Sequence, residues 1–257
     1  ETLQENMMLR KISSNLAKQV LNHLEKMAKD DRAKYEEFWK EHGKLFKLGY
    51  GDFANREKYA ALLRFNSSHS QDASGLVSFD EYIERVKPGQ KDIFYVSGPS
   101  REAAALNPHL EIFRSKGLEV LYLFEPLDEF ALETLKKYGE FELKPVEHAD
   151  PVSLEAFEVV ETKEFVEPLG ADDEKDFQKF LDKIKDILGG KAESVRVSSR
   201  LVQSPVCLVN PDGGMTSSME KILKIAAKDA SIPKKVLEVN KDHRLIRNLF
   251  GIFKQNP

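Results

Sequence analysis

Ile93-Phe94-Tyr95-Val96-Ser97-Gly98-Pro99-Ser100 is the stretch on which the fold turns. Four apolar residues in an unbroken run, closed by a polar turn, are the pattern of a strand covered on both faces. Helical stretches follow over 100–106 and 109–116, the second ended by Gly117. Val120-Leu121-Tyr122-Leu123-Phe124 then repeats the buried-strand pattern. A helix is expected from Asp128 to Tyr138, with Asp128 and Glu129 at its positive end. Phe141 to Val146 reads as a third strand. Strand–helix–strand–helix–strand in this order predicts a small three-layer αβα unit with a parallel sheet, within residues 78–150.

Upstream the period is helical. Leu9, Ile12, Leu16, Val20, Leu24 and Met27 share one face of a helix over 2–29. Asp31 is placed to cap a second helix, whose face is Tyr35, Phe38, Trp39, His42 and Phe46 and which Gly43 is expected to end or loosen. A third helix over 54–64 carries Tyr59, Leu62 and Leu63. Stripes this wide should pack on each other, giving a three-helix unit over 1–66. After a polar loop over 66–76, Ser78 with Glu81 forms the signature of a capping box. Lys87-Pro88-Gly89-Gln90 is a turn.

Downstream, periodicity fades and acid accumulates from 147 to 171 (Glu147, Asp150, Glu155, Glu158, Glu161, Glu164, Glu167), which marks 151–171 as an acidic linker. Residues 172–257 form a separate C-terminal α+β domain. Its first helix, 172–188, buries Phe177, Phe180, Leu181, Ile184 and Leu188 and stops at Gly189-Gly190. Val195 to Leu201 and Val206 to Val209 alternate, which suggests an antiparallel pair turning around Gln203-Ser204. A helix over 215–228, a strand over 236–239 and a last helix from His243 to Phe253 complete it. The fold class is α/β by elements and α+β overall.

Composition narrows the chemistry. The 257 residues carry 39 basic and 43 acidic side chains, a net charge of −4, with the signs interspersed. That balance argues against a nucleic-acid partner held by a basic face. No apolar run approaches the ~18–20 residues of a membrane span. One cysteine, Cys207, excludes a disulfide framework and points to a reducing compartment, the cytoplasm. The chain opens on Glu1 and closes just after an apolar helix, so both ends look cut and a fragment of something longer is expected.

Each candidate site has a plain alternative. Cys207 lies inside an apolar strand, where an inert buried thiol is expected. His23, His42, His69, His109, His148 and His243 are scattered without metal-ligand spacing, so no metal site is expected. Ser97-Gly98-Pro99-Ser100 follows a strand and precedes a helix, as phosphate-binding turns do, but lacks the Rossmann and P-loop glycine spacings. A stand-alone α/β enzyme for a phosphorylated ligand is the alternative function resting on that turn; a non-enzymatic interaction scaffold is another. The Asp128/Glu129 pair needs only the helix dipole to explain it. Met215, Met219, Ile222 and Leu223 share a face after a glycine pair. Soft methionines suit loose binding of many sequences, while periodicity alone favours packing on the local sheet.

An ordered set of motifs resembles the heat-shock protein 90 chaperones, most closely the bacterial branch. The set comprises Glu1-Thr-Leu-Gln-Glu-Asn6, Lys47-Leu-Gly49, Leu62-Leu-Arg-Phe65, Ser78-Phe-Asp-Glu-Tyr82, Gln90-Lys-Asp-Ile-Phe-Tyr95, Pro126-Leu-Asp-Glu129, Ser194-Val-Arg-Val-Ser198, Met219-Glu-Lys-Ile-Leu223 and Leu237-Glu-Val-Asn240. The resemblance implies that residues 1–150 are the later part of the family's middle domain and 172–257 most of its C-terminal domain, without the final dimerisation helices. It implies an intact protein that uses ATP and Mg, hydrolyses ATP, closes as a homodimeric clamp and binds unfolded or partly folded client proteins. Gln4 matches the family glutamine at the ATP γ-phosphate. The ATP pocket lies upstream, so the fragment by itself is expected to hold no cofactor, to be no enzyme, and to dimerise weakly or not at all. Client contacts carry over to Phe130, Glu133, Met215, Met219, Ile222 and Leu223, with Glu133 departing from the family's amide.

Overall fold

Asp31 begins the second helix as its residue type demands. In the computed structural model, which describes residues 7–52, 54–70, 75–160, 166–211, 214–228 and 234–255, its carboxylate accepts the amide of Lys34 at 3.1 Å. It separates α1 (Met7–Asp30) from α2 (Arg32–Lys47). Contrary to expectation, α2 does not end at Gly43. A Cβ there would lie 2.7 Å from the Trp39 indole, so this glycine makes room for its own helix's tryptophan. A 3-10 turn over Leu48–Gly51 and α3 (Arg56–Leu62) follow, and α1 packs on both α2 and α3. Only Leu21 and Leu24 of α1 are buried; Leu9, Ile12, Leu16 and Val20 stay exposed, because the two shorter helices cover only part of a 24-residue helix.

β1 (Asn66–Ser67) precedes α4 (Phe79–Ile83), where the predicted capping box is present: Ser78 N–H donates to Glu81 Oε2 at 2.8 Å and Glu81 N–H to Ser78 Oγ at 3.2 Å. Next come β2 (Asp92–Ser97), α5 (Arg101–Ala105), a 3-10 turn over Pro108–Leu110, α6 (Glu111–Ser115) and β3 (Val120–Leu123). α7 (Pro126–Leu135) is shorter than expected. Lys136 takes φ 62°, the chain reverses, and β4 (Lys137–Tyr138) pairs antiparallel with β5 (Phe141–Pro145). The sheet order is β1-β3-β2-β5-β4, with β1 antiparallel to β3. The three expected strands are therefore central, and two short antiparallel edges were missed.

α8 (Pro151–Leu154) structures part of the acidic stretch, with Leu154 buried. α9 (Ala171–Leu188) ends as expected at Gly189 in the left-handed region, φ 57°. β6 (Ala192–Val197), β7 (Val206–Val209), α10 (Ser217–Ala227), β8 (Lys235–Val239) and α11 (Arg244–Gln255) follow. The expected hairpin is overturned: β6 and β7 are not neighbours. β8 lies between them, parallel to β6 and antiparallel to β7. The amides of 202–204 that a hairpin turn would use internally point instead at the carboxylate of Glu111.

The chain divides into two units, Glu1–Ile93 with Leu121–Leu143, and Phe94–Val120 with Lys144–Pro257. The second has a core cluster where α9 and α11 meet β8: Phe177, Phe180, Leu181, Val239, Ile246 and Phe250. Phe250 packs edge-on to Phe177, ring centroids 5.1 Å apart.

Candidate functional site

The residues assigned to client contact fall on two helices, one in each unit, except Met215, which precedes the second. α7 opens on Pro126 in its first turn, with Glu125 N–H donating to Asp128 Oδ2 at 3.2 Å. Asp128 and Glu129 are 4% and 1% exposed, so the helix dipole alone does not account for them. Lys47 at the end of α2 sets its ammonium 2.6 Å from Asp128 Oδ1 and 3.4 Å from Glu125 Oε2. This joins two of the sequence motifs in space within the first unit. Phe130 is half-buried on the next turn of α7 and Glu133, one turn on, is exposed.

α10 carries the second group. Thr216 is its N-cap, accepting the Met219 amide at 3.2 Å. The helix begins at Ser217, so Met215 precedes it rather than starting it. Met215 and Leu223 are 57% and 42% exposed, and Met219 and Ile222 are half-buried. No residue of α10 is fully buried, so its apolar face is only partly covered. Gln4 lies outside the described residues.

Two other candidates have local structural surroundings. A Cβ on Gly98 would meet the Ala104 backbone nitrogen at 3.1 Å, and Ser100 Oγ accepts the Ala103 amide at 3.2 Å. The Ser97-Gly98 turn therefore serves close packing and capping of α5. The Cys207 thiol is buried; burial, and then Glu238, push it up to about 12, which leaves it protonated and inert. Among the described residues no group of His, Cys, Asp or Glu is arranged to hold a metal.

A buried polar network in the second unit was not foreseen. Glu238 on β8 is clasped by Arg196 and Arg200. Arg200 Nη1 lies 3.1 Å from His109 Nδ1, and His109 Nε2 lies 3.3 Å from the Leu208 carbonyl oxygen. Arginine can only donate, so Nδ1 accepts and Nε2–H donates: this imidazole is neutral. Burial first, and the Arg200 cation with it, hold the His109 pKa below its usual range against the opposing pull of Glu147 and Glu238. A base with a depressed folded pKa gives stability that is complete above its unfolded pKa of 6.5 and fades as pH falls below it. Urea midpoints measured across that pH should fall on the acid side. His109→Gln, which can accept from Arg200 and donate to Leu208, should flatten the slope; an unchanged slope would assign it to other groups. No residue spacing signals this network, because its members come from segments 31 to 99 positions apart.

Comparison with known proteins agrees with the motifs. The Hsp90 protein family matches residues 1–257. Chaperone protein HtpG of Nitratidesulfovibrio vulgaris is 54% identical over 253 residues, covering 98% of this chain and 40% of that protein. The HtpG of Oleidesulfovibrio alaskensis is 52% identical over 254 residues, and that of Shewanella amazonensis 42% identical over 250 residues. The chain spans 38–40% of the length of these curated relatives. Ordered motifs, a match along all 257 residues and identity this high leave a single assignment: the chain belongs to the Hsp90 family.

Proposed function

We propose that this chain is the later middle domain (1–150) and C-terminal domain (172–257), joined through 151–171, of an ATP-dependent chaperone that binds unfolded or partly folded proteins. The observation that carries this reading is α10: an amphipathic helix with Met219 on its apolar face, Met215 exposed just before it, and no fully buried residue. A face of this kind offers weak, plastic, reversible contact to exposed apolar segments, which is what a chaperone needs. Phe130 and Glu133 on α7 are the second proposed contact. In the whole protein, ATP hydrolysis would drive a homodimeric clamp, with ATP and Mg as cofactors; Gln4 is the residue of this chain proposed to face the γ-phosphate. The cytoplasm is the proposed setting. No helix among the described residues is long and apolar enough to cross a membrane.

The test is suppression of aggregation of a thermally unfolding client. Met219→Asp places a charge in the middle of the apolar face and should raise the concentration needed for half-suppression about tenfold. Circular dichroism checks that the variant is folded. Equal suppression by the two proteins would remove Met219, and with it this face, from the client surface.

A further inference from the structure

α10 poses a question of attachment. Most helices in proteins are held by burying an apolar face, yet α10 has no fully buried residue, and Met219 and Ile222 are only half-buried. Several polar contacts from distant segments meet at one residue of its first turn, Ser217. Glu147, in the 3-10 turn Val146–His148, accepts the Ser217 amide at 3.0 Å and the Ser217 hydroxyl at 2.9 Å through a single oxygen, Oε2. The same oxygen takes Asn210 Nδ2 at 3.1 Å. From the other side, Lys235 on β8 donates to Ser217 Oγ at 2.7 Å and also to Asn210 Oδ1. Its ammonium also faces Glu220 Oε2, within the same helical turn, at 3.5 Å. All these residues belong to the second unit.

The chemistry favours this grip. A carboxylate at the amino end of a helix meets both free N–H groups and the positive end of the dipole. Bonds to an ionised acceptor are the stronger kind. Glu147 reaches Ser217 across 70 positions of sequence, so this cap is supplied by a distant segment rather than by the helix's own flank. The local cap, Thr216, does the ordinary job beside it.

We propose that Glu147, acting with Lys235 on Ser217, is the positioning residue of α10: it fastens the first turn of a helix that has no fully buried residue, and so sets how the apolar face of α10 is presented. Its consequence for clients rests on the reading of α10 as a client surface. The helix is pinned at one end, and its Met219–Ile222–Leu223 face is left to adapt. Loosening the pin lowers the fraction of molecules with the face assembled, and apparent client affinity falls with that fraction.

The experiment uses the full chain and two readouts. Hydrogen exchange of the α10 amides decides the fastening. In Glu147→Ala these amides should exchange about tenfold faster, and in Glu147→Gln, which keeps an acceptor oxygen, only a few-fold faster. Exchange in β8 and α9 should be unchanged. If Glu147→Ala lowers the melting temperature of the whole chain, Ser217→Ala carries the test, since it removes the hydroxyl that Glu147 and Lys235 both hold and should loosen α10 alone. Unchanged α10 exchange in these variants overturns the proposal. Client suppression, measured in parallel, should weaken severalfold in Glu147→Ala. If α10 opens and suppression holds while Met219→Asp abolishes it, the positioning role is overturned. If Met219→Asp also leaves suppression intact, the client reading of α10 has failed and the fastening stands.

Discussion

Replacing Glu238 by alanine is expected to cost the β6–β8–β7 unit about 3–5 kcal/mol. Glu238 sits on the middle strand and is 2% exposed. Arg196 on β6 and Cys207 on β7 stand opposite it in register. Oε1 accepts from Arg196 Nη2 at 2.9 Å and Nε at 3.2 Å; Oε2 accepts from Ser198 Oγ at 2.9 Å and lies 3.0 Å from Arg200 Nε. Arg196 can turn to water, its side chain being 44% exposed, but Arg200 cannot, at 7%. Alanine at 238 thus strands a buried guanidinium already facing the His109 ring, and that uncompensated charge is the main cost. Removing both charges with Glu238→Met and Arg200→Met should recover most of the loss, because a buried pair adds little net stability over apolar groups of its size. Urea unfolding followed by circular dichroism and hydrogen exchange of β8 measures it. Trp39, the single tryptophan, lies in the first unit and reports separately. A loss below about 1 kcal/mol would mean that water reaches Arg200.

Glu111→Ala is expected to cost about 2–4 kcal/mol and to free the loop before β7. The carboxylate accepts the amides of Val202 at 2.6 Å, Gln203 at 2.7 Å and Ser204 at 2.9 Å, and the Ser204 hydroxyl as well. Alanine leaves several donors without an acceptor at once. Glu111→Gln should be nearly as harmful, since an amide offers one acceptor and one donor to a site built wholly of donors. Burial alone would raise this carboxyl's pKa; the Ser204 hydroxyl and the three amides outweigh burial and hold it below the usual 4.5. A depressed carboxyl gives stability that is complete above the unfolded pKa and lost as pH falls through the folded one. Below pH 4.5 amide exchange at 202–204 should therefore accelerate in the native protein, and Glu111→Ala should show no such acid step. Slow exchange at those amides in the variant would show that another acceptor replaces Glu111.

How much of this was legible beforehand depends on how far apart the interacting residues are. Helices announced themselves through spacing of three and four, and their ends through single residues: Asp31 and Ser78 at starts, Gly189 at a stop. Such signals are local, because a cap and the amides it serves lie within one turn. The central strands were legible because burial on both faces removes polar residues from the run. The missed edges, β1 and β4, are two residues each, too short to carry a period. Client residues were suggested by family resemblance; spacing alone pointed the methionine face toward the sheet.

The sequence by itself determined the order of the main helices and central strands, the α+β class, the ends marked by Asp31, Ser78 and Gly189, and the family, since these rest on local periodicity and on motifs read along the chain. Only the tertiary structure decided that β8 enters between β6 and β7, that Glu111 takes the amides of 202–204, that Glu238 is buried among two arginines, and that Glu147 leaves the acidic stretch to cap α10. A carboxylate looks the same in sequence whether it faces water or a distant set of donors. What separates the two is desolvation, and desolvation exists only once segments tens of residues apart have closed over the charge.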